Sequence, residues 1–140
     1  MTKDVLVSVT SFQTAQDETE HMEAINKGSY YKKNDLHYVV YDEMMEGFEQ
    51  PVKNMLKFKE GMLTVTKKGL LNVNMVFEEG KKSSCCYATP YGDMELSIDT
   101  TLVELLEEDN RICVKAFYSL GAGGQHLTDA EICLEISSKN

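Results

Sequence analysis

Six side chains spread over this sequence carry the polar chemistry that a binding site would need: Tyr38, Tyr41 and Glu43 close together, Lys67 just ahead of Gly69, and Tyr87 and Tyr118 farther on. Phenols, one carboxylate and one ammonium group can orient a small molecule by hydrogen bonds and an ion pair. The same set lacks what turnover requires. No G-x-S-x-G elbow occurs, and no nucleophile has a base at a recognisable spacing. His21, His37 and His126 are far apart and none lies in H-x-H or H-E-x-x-H, so each reads as a surface or packing histidine. Glu107-Glu108 belongs to a charged turn that suits solvent. Gly121-Ala122-Gly123-Gly124 lies between two strands, the wrong context for a dinucleotide fingerprint, and Gly80-Lys81-Lys82-Ser83 has Met75 where a phosphate loop needs glycine. Neither C-x-x-C nor a Cys/His zinc spacing is present. No catalytic residue, metal or cofactor is expected.

Charge narrows the partners. The chain carries −9 overall, yet residues 53–82 hold seven basic groups against three acids, a local charge of +4 within an otherwise acidic protein. Every basic residue except Arg111 is lysine, so the fork that reads phosphates is nearly missing and nucleic acid is not an expected partner. No run of about 18 apolar residues appears, so no membrane helix is expected. The opening Met1 to Thr10 alternates as a strand does, unlike a signal peptide. The four cysteines read as small buried or half-buried thiols in a reducing compartment, and the cytoplasm is the expected location.

The elements that position the polar set are strands. Period-two alternation recurs with turn signals about every 8 to 12 residues, a pattern of all-β sandwiches and barrels. Strands are expected at Val5 to Gln13, Met22 to Lys33, Leu36 to Glu43, Asn54 to Glu60, Met62 to Lys68, Asn72 to Glu78, Ser83 to Thr89, Asp93 to Glu107, Arg111 to Leu120 and Leu127 to Ser137. Their short connections favour consecutive antiparallel neighbours. Ala15 to Glu20 and Met44 to Val52 lack alternation and read as loops, the second with room for a short helical turn over one barrel mouth.

Registers follow from the turns. Glu60-Gly61 sets Phe58 opposite Leu63, Leu56 opposite Val65 and Lys57 opposite Thr64. Asn34-Asp35 sets Tyr31 beside Tyr38 and Ser29 beside Val40, with Lys33-Asn34 as the alternative turn. Met94, Leu96, Ile98 and Thr100 share one parity and Val103 and Leu105 the other, so a β-bulge is expected near Thr101 and Leu102. Taking Ala122-Gly123-Gly124 as a short loop pairs Leu120 with His126, Lys115 with Glu131, Cys113 with Cys133 and Arg111 with Glu135. Ile112, Val114, Ala116 and Tyr118 then face inward with Ile132, Leu134 and Ile136. Tyr38 and Tyr41 have opposite parity, so at most one of them faces the interior. If Lys67 and Glu43 both face inward, they should pair.

Four further patterns carry a resemblance. Gly28-Ser29-Tyr30-Tyr31, the tyrosine strand from Tyr38 through Tyr41 to Glu43, Lys67-Lys68-Gly69, and Thr89-Pro90-Tyr91-Gly92 ahead of an alternating run are together similar to the YwiB-like family of small bacterial proteins. The resemblance spans nearly the whole chain and implies a lipocalin-like, calycin-type antiparallel barrel with no established activity. Lys67 stands where the family pattern has arginine, which removes the bidentate fork for an anion.

These readings converge on one all-β domain, residues 1–140, folded as an up-and-down antiparallel barrel of about eight to ten strands. The leading expectation is a non-enzymatic protein that binds a small anionic or amphipathic molecule inside, with Tyr38, Tyr41, Glu43, Lys67, Tyr87 and Tyr118 as candidate ligand-binding residues. The alternative is a filled barrel that contacts a protein partner through acidic loops or the basic strands around Lys57 and Lys81. An enzyme of unknown class comes third. A hollow, tyrosine-lined interior would favour the first, and a packed one beneath an exposed apolar patch the second.

Overall fold

The computed structural model describes residues 1–15, 18–44, 47 and 49–139. Alternating side chains form ten strands: β1 (Asp4–Ala15), β2 (Glu18–Lys33), β3 (Leu36–Glu43), β4 (Val52–Lys59), β5 (Met62–Lys68), β6 (Val73–Glu78), β7 (Lys82–Thr89), β8 (Gly92–Glu107), β9 (Arg111–Ala122) and β10 (Gln125–Ser138). All ten expected strands are present, with ends shifted by a few residues. They make one antiparallel sheet in the order β6-β5-β4-β3-β2-β1-β10-β9-β8-β7. Neighbours are consecutive in the chain except where β1 pairs with β10, from Val5↔Ser138 to Thr14↔Asp129. The sheet curls into a nearly closed barrel. Its seam lies between β6 and β7, where Asn72 and Ala88 exchange two main-chain hydrogen bonds of 2.9 Å and the Ser83 hydroxyl donates to the Val76 carbonyl at 2.9 Å.

Two long strands make the corners. β2 pairs with β1 over Glu18 to Ser29 and with β3 only over Gly28 to Lys33. β8 pairs with β7 at its start and with β9 over Ser97 to Glu107. A strand that changes partners along its length is how a sheet turns a corner and packs back on itself. At Gly28, the first corner, an added Cβ would lie 3.2 Å or less from the Val40 carbonyl, Val7 and Tyr41, so only glycine lets β2 and β3 meet there. Beyond it β2 and β3 part, leaving an open trough of 640 Å³ lined by Lys27, Tyr41, Asp42 and Lys53.

Local registers obey turn chemistry. The Glu60-Gly61 and Asn34-Asp35 hairpins pair Phe58 with Leu63 and Tyr31 with Tyr38, as the turn residues require. Asn34 and Asp35 both adopt positive φ, 53° and 68°, so Lys33 stays in the ladder. The β8 register shifts between Thr100 and Leu102, and this bulge turns both Ile98 and Val103 inward.

The structure departs from the expected loops and from one hairpin register. Within the expected Ala15 to Glu20 loop, residues 16 and 17 lie outside the described residues, and Ala15 and residues 18–20 are strand: β2 begins at Glu18, paired with Ala15, because main-chain pairing to β1 sustains a strand even where neither face is buried. The expected helical turn within Met44 to Val52 involves residues 45, 46 and 48, which lie outside the described residues. The β9–β10 hairpin also differs from the expected register. Gly123 and Gly124, with φ of 58° and 79°, form a two-residue turn, so Ala122 remains in the ladder opposite Gln125. The register then shifts between His126 and Thr128. Lys115 therefore lies opposite Cys133, Cys113 opposite Glu135 and Arg111 opposite Ser137. The turn slips the ladder by one residue and the bulge by one more, so parity is restored and Ile112, Val114, Ala116 and Tyr118 still face inward against Ile136, Leu134, Ile132 and Ala130. Arg111 reaches Glu135 diagonally, Nε to Oε1 2.9 Å.

The interior is occupied by its own side chains. Phe58, Phe77, Leu63, Ile98, Leu134 and Ile136 are fully buried within one continuous apolar cluster. Among the described residues, indentations of 270 to 640 Å³ open broadly to solvent.

Candidate functional site

The inward face of β3 to β6 ends in a polar row. Tyr41, Asn54, Lys67 and Val73 are direct cross-strand neighbours, each on the same parity as buried apolar residues lower in its strand. Lys67 Nζ donates to Glu43 Oε1 at 2.9 Å, and both side chains are about three-quarters covered. Asn54 Nδ2 donates to the same carboxylate oxygen at 3.3 Å and to the Val52 carbonyl at 3.2 Å. Those two acceptors fix which way the amide points, leaving Asn54 Oδ1 buried with no partner in a side chain only 1% exposed. Burial first, and the Glu43 charge second, push the phenols of both Tyr41 and Tyr87 up, so both stay protonated donors at neutral pH.

The structure thus gathers Tyr41, Glu43, Lys67 and Tyr87 around one barrel mouth. Tyr38 is on the outer surface, stacked on Tyr31 with ring centroids 4.9 Å apart. Tyr118 lies in the core against Phe77, centroids 4.7 Å apart, and burial pushes its phenol up to about 12. Asn54 was not among the expected residues, although its parity with Leu56 and Phe58 puts a polar group on an apolar face. That parity is the signal for it.

A second polar cluster closes the opposite end. His37, 2% exposed, stacks on Phe58 and accepts at Nδ1 from the Tyr30 hydroxyl at 2.7 Å. Its Nε2 is 3.3 Å from Glu107 Oε1, and Lys32 reaches the same carboxylate's other oxygen at 3.8 Å. A neutral ring with the proton on Nε2 satisfies all three groups. Burial holds the imidazole below its ordinary value, Glu107 opposes this and Lys32 reinforces it. Among the described residues no group of three His, Cys, Asp or Glu side chains is placed to hold a metal.

The outer face of the β2 to β6 wall differs from both mouths. Parity brings Lys33, Lys53, Lys57, Lys59 and Lys68 to one surface, and no ion pair neutralises any of them among the described residues. Lys81 and Lys82 instead pair with Glu78 and Asp99. Between the lysines run Tyr31, Tyr38, Val40 and Met55, with Tyr31 and Met55 exposed. Of the basic residues within 53–82, Lys53, Lys57, Lys59 and Lys68 therefore join Lys33 on an amphipathic face around a tyrosine stack, with Asp42 opposite Lys53.

Comparison with known proteins places these features in a wider set. A family model described as "Domain of unknown function (DUF1934)" matches residues 7–134. The chain is 29% identical over 119 residues to the "Uncharacterized beta-barrel protein YwiB" of Bacillus subtilis, covering 83% of this chain and 82% of that protein. It also superposes on the crystal structure of the ywiB protein from Bacillus subtilis with a TM-score of 0.81 and 23% identity, covering 98% of this chain and 93% of the other. That likeness carries the fold.

Proposed function

Since the chain belongs to the DUF1934 family, described as a domain of unknown function, we propose from its own surface that it is a non-enzymatic interaction module presenting the basic wall of β2 to β6 to an acidic protein segment. The filled interior carries this reading, because a continuous apolar cluster occupies the barrel among the described residues and the trough at Gly28 is open, which moves recognition to the outside. The wall supplies what such recognition uses. Unpaired lysines attract and orient an acidic partner, and a rigid pair of tyrosines gives apolar contact at low entropic cost. The acidic remainder of the molecule repels the same partner elsewhere, which favours one docking face.

Fluorescence anisotropy with a labelled oligoglutamate peptide tests the reading. The protein should bind it at low salt and release it as salt rises. Lys57→Glu with Lys59→Glu should weaken binding about tenfold or more, while Lys81→Glu with Lys82→Glu should leave it nearly unchanged. Equal losses in both variants, or no binding at low salt, would overturn it.

The unpartnered Asn54 Oδ1 favours a second reading, a small uncharged donor-bearing molecule held at the Tyr41, Glu43, Lys67 and Tyr87 mouth. Native mass spectrometry of the gently purified protein should then show a stoichiometric adduct that Asn54→Leu loses. A wild-type spectrum without an adduct leaves the mouth as a structural hydrogen-bond network.

A further inference from the structure

We propose that the free edge of β2 is an interface between two copies of this chain, paired antiparallel about a twofold axis at Met22. The observation is a ladder with one side missing. Residues 18–27 of β2 are paired to β1 throughout, but β3 reaches β2 only from Gly28 onward, and no other described strand takes its place.

Phase follows from one hydrogen bond and one turn. Tyr30 N–H donates to the Lys3 carbonyl, so at Tyr30 the main-chain polar groups face β1. At the other end of the strand, the two-residue Asn34-Asp35 turn makes Lys33 and Leu36 a hydrogen-bonded pair, which points the groups of Lys33 toward β3. The β1–β2 ladder has no register shift, so alternation carries through: N–H and C=O of Thr19, His21, Glu23, Ile25 and Lys27 all point away from β1 with no strand to receive them. Met22 and Ile25, 72% and 63% exposed, are among the most exposed large apolar side chains of the molecule.

An edge of this kind is normally guarded by charge, and Glu18, Glu20 and Glu23 are the guards here. They also determine who can approach. Two copies related by a twofold axis perpendicular to the sheet keep their faces matched only when a residue meets its own copy on the axis. A centre at Glu23 or at Glu20 sets carboxylate against carboxylate. A centre at Met22 does not: His21 falls opposite the partner's Glu23, Thr19 opposite the partner's Ile25, Glu20 opposite the partner's Ala24 and Glu18 opposite the partner's Asn26. The His21–Glu23 and Thr19–Ile25 pairs are then the hydrogen-bonded ones, using the groups that point outward. Met22 becomes a non-hydrogen-bonded pair, the closer kind, in which its side chain packs against its own copy. Among the twofold registers, this one combines near-complete overlap of the free edge with no opposed like charges. The interface is distinct from the basic wall, so either can fail without the other.

Sedimentation velocity and cysteine cross-linking test it. The wild-type chain should sediment as a dimer in the micromolar range. Glu23→Pro removes an outward N–H without touching the β1 ladder, and Met22→Glu sets two carboxylates on the axis; both should shift the protein to monomer with the strand spectrum retained. As a readout that needs no loss of stability, Met22→Cys in a Cys86→Ser, Cys113→Ser, Cys133→Ser background should form an intermolecular disulfide under mild oxidant, whereas Ile25→Cys in the same background should not. A wild-type monomer, a dimer that persists in both edge variants, or equal cross-linking at both positions would overturn the proposal.

Discussion

The Tyr30 hydroxyl donates to His37 Nδ1 at 2.7 Å across the β2–β3 pairing, inside the barrel and away from solvent. Donation in this direction requires that nitrogen to carry no proton. Charging the ring would reverse the bond, with the phenol oxygen accepting, in a site where burial already disfavours the charge.

Acid should therefore weaken the fold through His37. With the folded value depressed, the unfolded chain takes up the proton first as pH falls through about 6.5, so this contribution is present above that pH and lost below it. Urea unfolding at neutral pH and at about pH 5.5 should show a loss that shrinks in His37→Phe. At neutral pH, Tyr30→Phe strands a buried nitrogen and should cost about 1 to 3 kcal/mol. An unchanged acid loss in His37→Phe would remove the imidazole from the account.

Glu43 and Lys67 form a pair that is covered but not dry, at 26% and 20% exposure. Full burial would make a broken pair cost about 3 to 5 kcal/mol, and residual solvent brings the expectation for Lys67→Met down to about 1 to 2 kcal/mol. Glu43→Gln keeps the acceptor for Asn54 and should cost less than Lys67→Met. Equilibrium unfolding of the two variants and the double mutant measures the coupling, and a coupling of zero would reduce the pair to a surface contact.

Gly28→Ala should be destabilising out of proportion to one methyl group. The new Cβ would lie 2.9 Å from the Val40 carbonyl and 3.0 Å from Val7, and main chain cannot rotate aside as a side chain does. A loss of about 2 kcal/mol or more is expected. Gly80→Ala, with open space around it but a φ of 76°, should lose only about 1 kcal/mol. Matching urea midpoints for the two variants would mean that β2 and β3 part more freely than the corner implies.

The strands and the Asn34-Asp35 and Glu60-Gly61 registers were legible because each rests on local rules: parity, and the φ that a turn residue can adopt. The bulge in β8 was legible for the same reason, since Ile98 and Val103 cannot both face inward along an uninterrupted strand. The β9–β10 ladder was legible in its buried face but not in its pairs, because Gly123 and Gly124 fit more than one turn and charge matching rewarded the wrong one. Which of Tyr38 and Tyr41 faces inward needed the partners in β2 and β4. The His37 cluster was less legible still, because Tyr30, His37 and Glu107 come from different strands and converge only when β8 has closed against the others.

In the sheet order, β1 and β10 stand side by side near the middle while β6 and β7 lie at its margins. Every other ladder joins strands adjacent in the chain, so hairpins can form early and cheaply. The β1–β10 ladder must instead close nearly the whole chain into a loop before it gains a single hydrogen bond. The step of greatest sequence separation thus falls at the centre of the sheet, making it the natural kinetic bottleneck. Joining the ends and opening the chain between β6 and β7 would turn that step into one more local hairpin, giving a permuted protein with the same barrel and a faster route to it.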